Sequence, residues 1–104
     1  MHRVTVAYPN KADAKFNFDY YMKKHIPFVA GLVGRSIEVR RGISSATGSP
    51  AAFVCVATIP IDSVAAFQAV LAQYGAEIFA DIPNYTNIEP IVQFDEIVAQ
   101  PPDC

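Results

Sequence analysis

The chain has 104 residues, of which 52% are hydrophobic and only 17% charged, and its 8 basic and 10 acidic side chains leave a formal net charge of -2. That length carries one hydrophobic core and a single domain, residues 1–104, and the absence of a basic run (KK and RR are only pairs) excludes nucleic acid and anionic membrane as expected partners. The longest apolar run, Ala51 to Ala57, falls far short of the roughly 20 residues that cross a bilayer, and MHRVTVAYPN has no signal-peptide core, so a cytoplasmic protein is expected.

Along the chain the hydrophobic period alternates between that of strands and that of helices. In HRVTVAY, Val4, Val6 and Tyr8 share one face and Arg3, Thr5 and Ala7 the other, which predicts a strand from His2 to Tyr8, with PNKADAK as the turn after it. From Asn17 the period is helical. Asn17 is a natural N-cap, Asp19 suits the positive end of the helix dipole, and Asp19 and Lys23 stand in the favourable i,i+4 order. The helix reaches Gly31 or Gly34, with a kink or restart expected at Pro27, which donates no hydrogen bond and crowds the carbonyl of Lys23. SIEVRRGI (Ser36 to Ile43) and AAFVCVATI (Ala51 to Ile59) read as a hairpin, because SSATGSP is too short for a parallel crossover. A second helix, capped by Asp62, sets Val64, Phe67, Leu71 and Tyr74 on one stripe and ends or bends at Gly75. AEIFADIP is a short helical turn stopped by Pro83, and Asn87 to Val98 is a last strand whose early part Pro90 weakens.

The order β-α-β-β-α-β predicts an α+β fold, a ferredoxin-like sandwich with an antiparallel sheet and both helices on one face. So low a charged fraction leaves little polar surface to cover a monomer. The helix-free sheet face is therefore expected to be apolar and covered by a second copy, in a homodimer burying roughly 1,200 Å² or more.

Candidate chemistry concentrates in FDYYMKKHIP, Phe18 to Pro27. On a regular helix Phe18, Tyr21, Met22, His25, Val29 and Leu32 lie at i, i+3, i+4, i+7, i+11 and i+14 and form one sheetward face. A lone histidine on such a face is ordinarily a hydrogen-bonded core residue. Its functional reading is a proton carrier, because imidazole titrates near neutrality. Tyr21, one turn earlier, is close enough to share a hydrogen bond or a wall with it, and a backbone carbonyl freed near Pro27 is another available partner. In NYTN, Tyr85 and Asn87 are candidates for a cleft rim, against the plain turn chemistry of asparagine. Cys55, inside an apolar strand, reads as inert core, and Cys104 as a second free thiol. Arg40 and Arg41 must point to opposite faces, so one is directed inward and expected to meet Glu89, Asp95 or Glu96. The sequence has no H-x-x-x-H pattern, no clustered carboxylates and no glycine-rich loop opening a helix, so neither metal nor cofactor is expected.

FDYYMKKHIP, preceded by a strand ending in Tyr8-Pro9 and followed by DIPNYTNIEP (Asp81 to Pro90), resembles the EthD family of small proteins, named after ethyl tert-butyl ether degradation. The likeness covers nearly the whole chain. The family belongs to the dimeric α+β barrel superfamily, in which two ferredoxin-like subunits pack sheet against sheet and each keeps a cleft between its sheet and helices. The resemblance thus implies a homodimeric α+β barrel and carries the histidine of the family motif onto His25. For chemistry it implies a range. EthD is associated with a monooxygenase-dependent pathway without an agreed activity of its own, and relatives isomerise lactones, dehydrate or cyclise polyketides, or oxygenate aromatic compounds without a cofactor. The expected function is cofactor-independent proton transfer on a small apolar cyclic or aromatic compound, with His25 as the catalytic group and Phe18, Tyr21, Met22 and Tyr85 as the binding wall. The alternatives are an accessory protein that holds a pathway intermediate in the same cleft, and a dimeric scaffold whose cleft is occluded.

Overall fold

The computed structural model describes residues 1–100, so the tail PPDC, with Cys104, lies outside the described residues. Four strands, β1 (His2–Pro9), β2 (Glu38–Arg41), β3 (Phe53–Ile61) and β4 (Ile91–Glu96), form one sheet in the order β2-β3-β1-β4. Every neighbouring pair is antiparallel. Helix α1 spans residues 18–33, α2 is Val64–Ala80, and a 3₁₀ turn, Ile82–Asn84, follows α2. Among the described residues no helix is long and apolar enough to cross a membrane.

Register decides which side of the sheet is core. Val4 lies opposite Ile59 and Phe94, and Val6 opposite Ala57 and Val92, so these side chains project to one face. Both helices pack there: Val29 of α1 and Phe67 and Ile78 of α2 meet Val4, Ile59 and Ile61 in one buried cluster. A second cluster joins Tyr8, Tyr21, Ile26, Cys55, Tyr85 and Ile88 at the other end of the same layer. This is the expected ferredoxin-like α+β arrangement, with both helices on one face.

The helix-free face differs from expectation. It carries Arg3, Thr5 and Ala7 from β1, Val56, Thr58 and Pro60 from β3, and Ile91, Gln93 and Asp95 from β4, so it is mixed rather than apolar. Three polar groups there satisfy one another, Thr5 donating its hydroxyl hydrogen bond to Asp95 and Gln93 Nε2 donating to Asp95 Oδ1 at 2.7 Å. Some of the apolar excess lies instead on the helix side of edge strand β4, where Val92 and Phe94 remain 40% and 37% exposed.

Several local readings are corrected by the structure. Ser63, not Asp62, caps α2, its Oγ accepting from the Ala66 N–H at 3.0 Å, while Asp62 pairs with Arg35. Helix α2 runs straight through Gly75, which is buried, because packing at this position outweighs the roughly 1 kcal/mol that glycine costs a helix. β3 includes Pro60, since β2 stops opposite Thr58 and leaves no ladder bond there for a proline to break. Arg40 pairs with Glu38 on its own strand, and Arg41 lays its guanidinium 4.2 Å from the centre of the Phe18 ring. Neither reaches the acidic residues around β4, because two intervening strands separate β2 from β4 by about 14 Å.

The β2–β3 connection contains a close approach that only glycine permits. The Gly42 N–H donates to the Val54 carbonyl at 2.9 Å, and a Cβ on Gly42 would lie 2.0 Å from the Phe53 carbonyl oxygen and 2.8 Å from the Ala51 Cβ. Gly42→Ala is expected to spread the hairpin and cost about 1–3 kcal/mol, read as a lower midpoint in urea unfolding. Gly31→Ala, where the new methyl meets nothing within 4 Å, is expected to raise that midpoint, by about 0.4–1 kcal/mol in stability.

Candidate functional site

The site begins with the way α1 accommodates Pro27. The helix opens on Asn17, whose side chain accepts from the Tyr20 N–H at 3.0 Å. Residues Tyr21–His25 then form a π-helical turn in which the Ile26 N–H reaches back to the Tyr21 carbonyl, and α-helix resumes over Ile26–Val33. The wider turn relieves the crowding of a proline without breaking the helix. It also changes the phase: Tyr21, His25 and Ile26 all face inward, whereas Met22 is 44% exposed. Phe18 lies outside the cleft as well, against Phe16 at 4.4 Å and beneath Arg41. The even 3.6-residue period assumed for this segment therefore misassigns Met22 and Phe18 to the cleft wall.

The second half of the site comes from the segment after α2. The 3₁₀ turn Ile82–Asn84 swings the chain so that Asp81 and Tyr85 approach His25. Hydrogen bonds to residues 13–17 fix the segment: the Asn17 N–H donates to the Tyr85 carbonyl at 2.7 Å, the Lys15 N–H to Asn87 Oδ1 at 2.8 Å, Asn87 Nδ2 to the Asp13 carbonyl at 2.8 Å, and the Thr86 hydroxyl to the Lys15 carbonyl at 2.6 Å. Asn87 therefore serves as turn and staple, and Tyr85 is buried within.

His25 is buried, and both ring nitrogens face protein groups. Nδ1 lies 3.0 Å from Asp81 Oδ2, whose other oxygen accepts from the Tyr20 hydroxyl at 2.7 Å and from Asn84 Nδ2 at 2.9 Å. Nε2 lies 3.4 Å from the Tyr85 hydroxyl, which in turn is 2.7 Å from that of Tyr8. Tyr21 does not bond the histidine but stacks on it, with ring centres 5.5 Å apart and planes at 14°. A carboxylate on one side assigns the proton of neutral His25 to Nδ1 and leaves Nε2 as the basic nitrogen.

Electrostatics separate these groups. Burial pushes the Asp81 carboxyl up, but hydrogen bonds from Tyr20, Asn84 and His25, with the histidine's charge, outweigh it and hold the group below the usual carboxylate value. Burial drives Tyr8, Tyr21 and Tyr85 above the ordinary phenol value, so all three remain neutral donors. Burial also pushes the Cys55 thiol up to about 11, which leaves it an inert core residue.

Tyr8, Tyr21, His25 and Tyr85 supply the polar side chains in the lining of a cavity of about 50 Å³ between the sheet and the two helices. The rest of the lining is apolar, including Val6, Ile59, Val29 and Phe67, and Phe79, Ile82, Pro90 and Val92 stand toward the edge between α2 and β4. The space holds roughly three to five water-sized groups. Of the residues singled out in the sequence, the structure brings His25, Tyr21 and Tyr85 to this cavity. Sequence reasoning missed Tyr8, read only as a strand position, and Asp81, the first residue of DIPNYTNIEP. Among the described residues no group of three or more histidine, cysteine, aspartate or glutamate side chains gathers.

Residues 11–89 match the model of the EthD domain family. Among solved structures the chain is similar to an EthD-like protein from Ralstonia eutropha JMP134, at 38% identity over 96% of this chain and 94% of the other, with a TM-score of 0.87. It is also similar to an EthD family protein from Bacillus halodurans C-125, at 18% identity over 92% of this chain and 97% of the other, with a TM-score of 0.65, a likeness of fold. No curated protein matches the chain.

Asp81 makes the site sensitive to acid. Its carboxyl is held below its ordinary value in the folded protein, so its contribution to stability is present above the usual carboxylate range and is lost as pH falls through the folded value. Asp81→Asn is expected to cost about 1–3 kcal/mol near pH 7. The gap between variant and wild type should narrow below roughly pH 4, measured by urea unfolding across pH.

Proposed function

The chain belongs to the EthD family, and from that premise we propose that it is a cofactor-independent enzyme of small-molecule catabolism that moves a proton on a small apolar cyclic or aromatic compound. One observation carries this reading: a histidine with Nδ1 held by a carboxylate and Nε2 turned to a hydroxyl sits in the wall of an apolar cavity. Asp81 fixes the tautomer and stabilises the imidazolium that forms when Nε2 gains a proton. The surroundings exclude water, so a developing anion on the ligand meets neutral phenols rather than solvent. Isomerisation, dehydration and cofactor-free oxygenation all begin with such a proton transfer. The small volume favours a single ring, and a ligand of that size enters by displacing Phe79 and Ile82, of which Phe79 is 48% exposed. An accessory protein that only holds a ligand uses the same cavity but gives the carboxylate–imidazole pair no task.

A homodimer belongs to the same proposal. Val56 and Ile91 on the helix-free face, with Val92 and Phe94 at the β4 edge, form the apolar surface for a second copy, and the polar groups among them pair with one another or form the rim of the interface. Sedimentation at micromolar concentration is expected to give a dimer, and a monomer removes this part of the reading.

For the chemistry, wild type is expected to catalyse exchange of carbon-bound hydrogen into D₂O for at least one member of a panel of small cyclic ketones, lactones and phenols, followed by NMR. His25→Gln should lose about 100-fold or more of that exchange while staying folded. Undiminished exchange in a folded His25→Gln protein ends the catalytic role, and ligand binding without exchange in wild type supports the accessory alternative.

A further inference from the structure

We propose that the proton passes between ligand and His25 through the Tyr85–Tyr8 hydroxyl pair, so that Tyr8 presents the reacting O–H and the cavity selects compounds with an ionisable oxygen, such as phenols and enols. This rests on the cavity being the ligand site. It changes which atom touches the ligand and what class of ligand fits.

The geometry is a continuous series of polar atoms from the surface to Tyr8, a residue of the cavity lining. Asp81, its side chain 20% exposed, borders a surface depression with Tyr20, Lys24, Glu77 and Asn84. It bonds His25 Nδ1 at 3.0 Å, Nε2 faces the Tyr85 hydroxyl at 3.4 Å, and that hydroxyl meets Tyr8 at 2.7 Å. Tyr8 is 1% exposed and held edge-on by Phe16 at 5.0 Å, Tyr21 at 5.9 Å and Tyr85 at 6.1 Å, which fixes where its hydroxyl sits. The titratable groups packed about His25 are Tyr21 from its own helix and Asp81 and Tyr85 from the segment after α2.

Counting protons gives the series two orders. With His25 neutral, Tyr8 donates to Tyr85, Tyr85 donates to Nε2, and Nδ1–H donates to Asp81. The lone pair of the Tyr8 oxygen that the neighbouring Tyr21 hydroxyl does not take then accepts from a ligand. With His25 protonated, Nε2–H donates to Tyr85, Tyr85 donates to Tyr8, and the Tyr8 O–H becomes a donor. In the step itself the ligand O–H bond breaks and its proton joins the Tyr8 oxygen. The Tyr8 proton moves to Tyr85, and the Tyr85 proton moves to Nε2. The ligand keeps the electron pair as an oxyanion, His25 becomes imidazolium beside the Asp81 carboxylate, and the reverse shift returns the proton. Each phenol gains a proton as it gives one, so neither ionises, in keeping with burial that disfavours tyrosinate at both. The 3.4 Å separation is the longest link, and it closes when the His25–Tyr85 bond becomes charge-assisted.

The test uses 4-nitrophenol at a pH where it is neutral in solution, with the absorbance of the nitrophenolate as readout. Wild type is expected to bind it with the phenol ionised. At saturating probe, Tyr8→Phe, its fold verified by its NMR spectrum, should lower the ionised fraction of the bound phenol about tenfold or more, with weaker binding as the linked effect. Tyr8→3-fluorotyrosine keeps the shape and changes only the acidity of the hydroxyl, and it should shift the ionised fraction even if the phenylalanine variant does not fold. Ionisation undiminished in folded Tyr8→Phe, an ionised fraction unmoved by the fluorotyrosine, or wild type leaving millimolar 4-nitrophenol neutral or unbound overturns the relay. Wild type that ionises the bound probe yet exchanges no carbon-bound hydrogen in the panel upholds the relay and refutes the catalytic reading.

Discussion

The bond between His25 and Asp81 is the contact on which the arrangement around the cavity depends. An imidazole inside an apolar layer is costly unless both nitrogens find partners. The carboxylate that meets Nδ1 is itself kept charged by Tyr20 and Asn84. Through these four side chains α1 is fastened to the segment after α2, and the same segment is fastened again, by backbone and asparagine hydrogen bonds, to the stretch that leads into α1. Tyr85 is placed by this double attachment. Removing the carboxylate would loosen the wall and the base together.

The two stretches that carry the family likeness in the sequence, FDYYMKKHIP and DIPNYTNIEP, are the two that meet in space. Their joint product is one constellation, in which the first supplies an imidazole and a stacked tyrosine and the second a carboxylate and a phenol. The β-sheet contributes a single polar group to it, Tyr8, at the last regular position of β1 before the register shifts at Pro9.

Much of the architecture was legible from period and loop length. Alternating residues in HRVTVAY, the short SSATGSP loop and the helical stripe of Val64, Phe67, Leu71 and Tyr74 are local signals, and each produced the element it predicts. The site was legible only in part, because its defining contacts join residues far apart in sequence: Asp81 is 56 positions from His25, and Tyr8 is 77 from Tyr85. No local pattern reports such pairs. Met22 failed for a different reason. A period of 3.6 holds only while the helix is regular, and Pro27, recognised as a disturbance, acts upstream through a widened turn rather than through a kink at its own position. The inward arginine failed for lack of strand order, since its acidic candidates lie two strands away.

The widened turn has a consequence for how such a site arises and is lost. A π-helical turn is equivalent to one residue inserted into an α-helix, and one residue corresponds to about 100° of rotation. The wide turn takes up that extra residue locally, so Tyr21 before it and Ile26 and Val29 after it share the inward face. Loss of one residue among 22–24 would restore the uninterrupted ladder with Tyr21 still facing inward, and would bring His25 from the fourth to the third residue after Tyr21, which changes the ring stack alone. The stacking partner of His25 thus depends on the spacing kept by three exposed residues, Met22, Lys23 and Lys24.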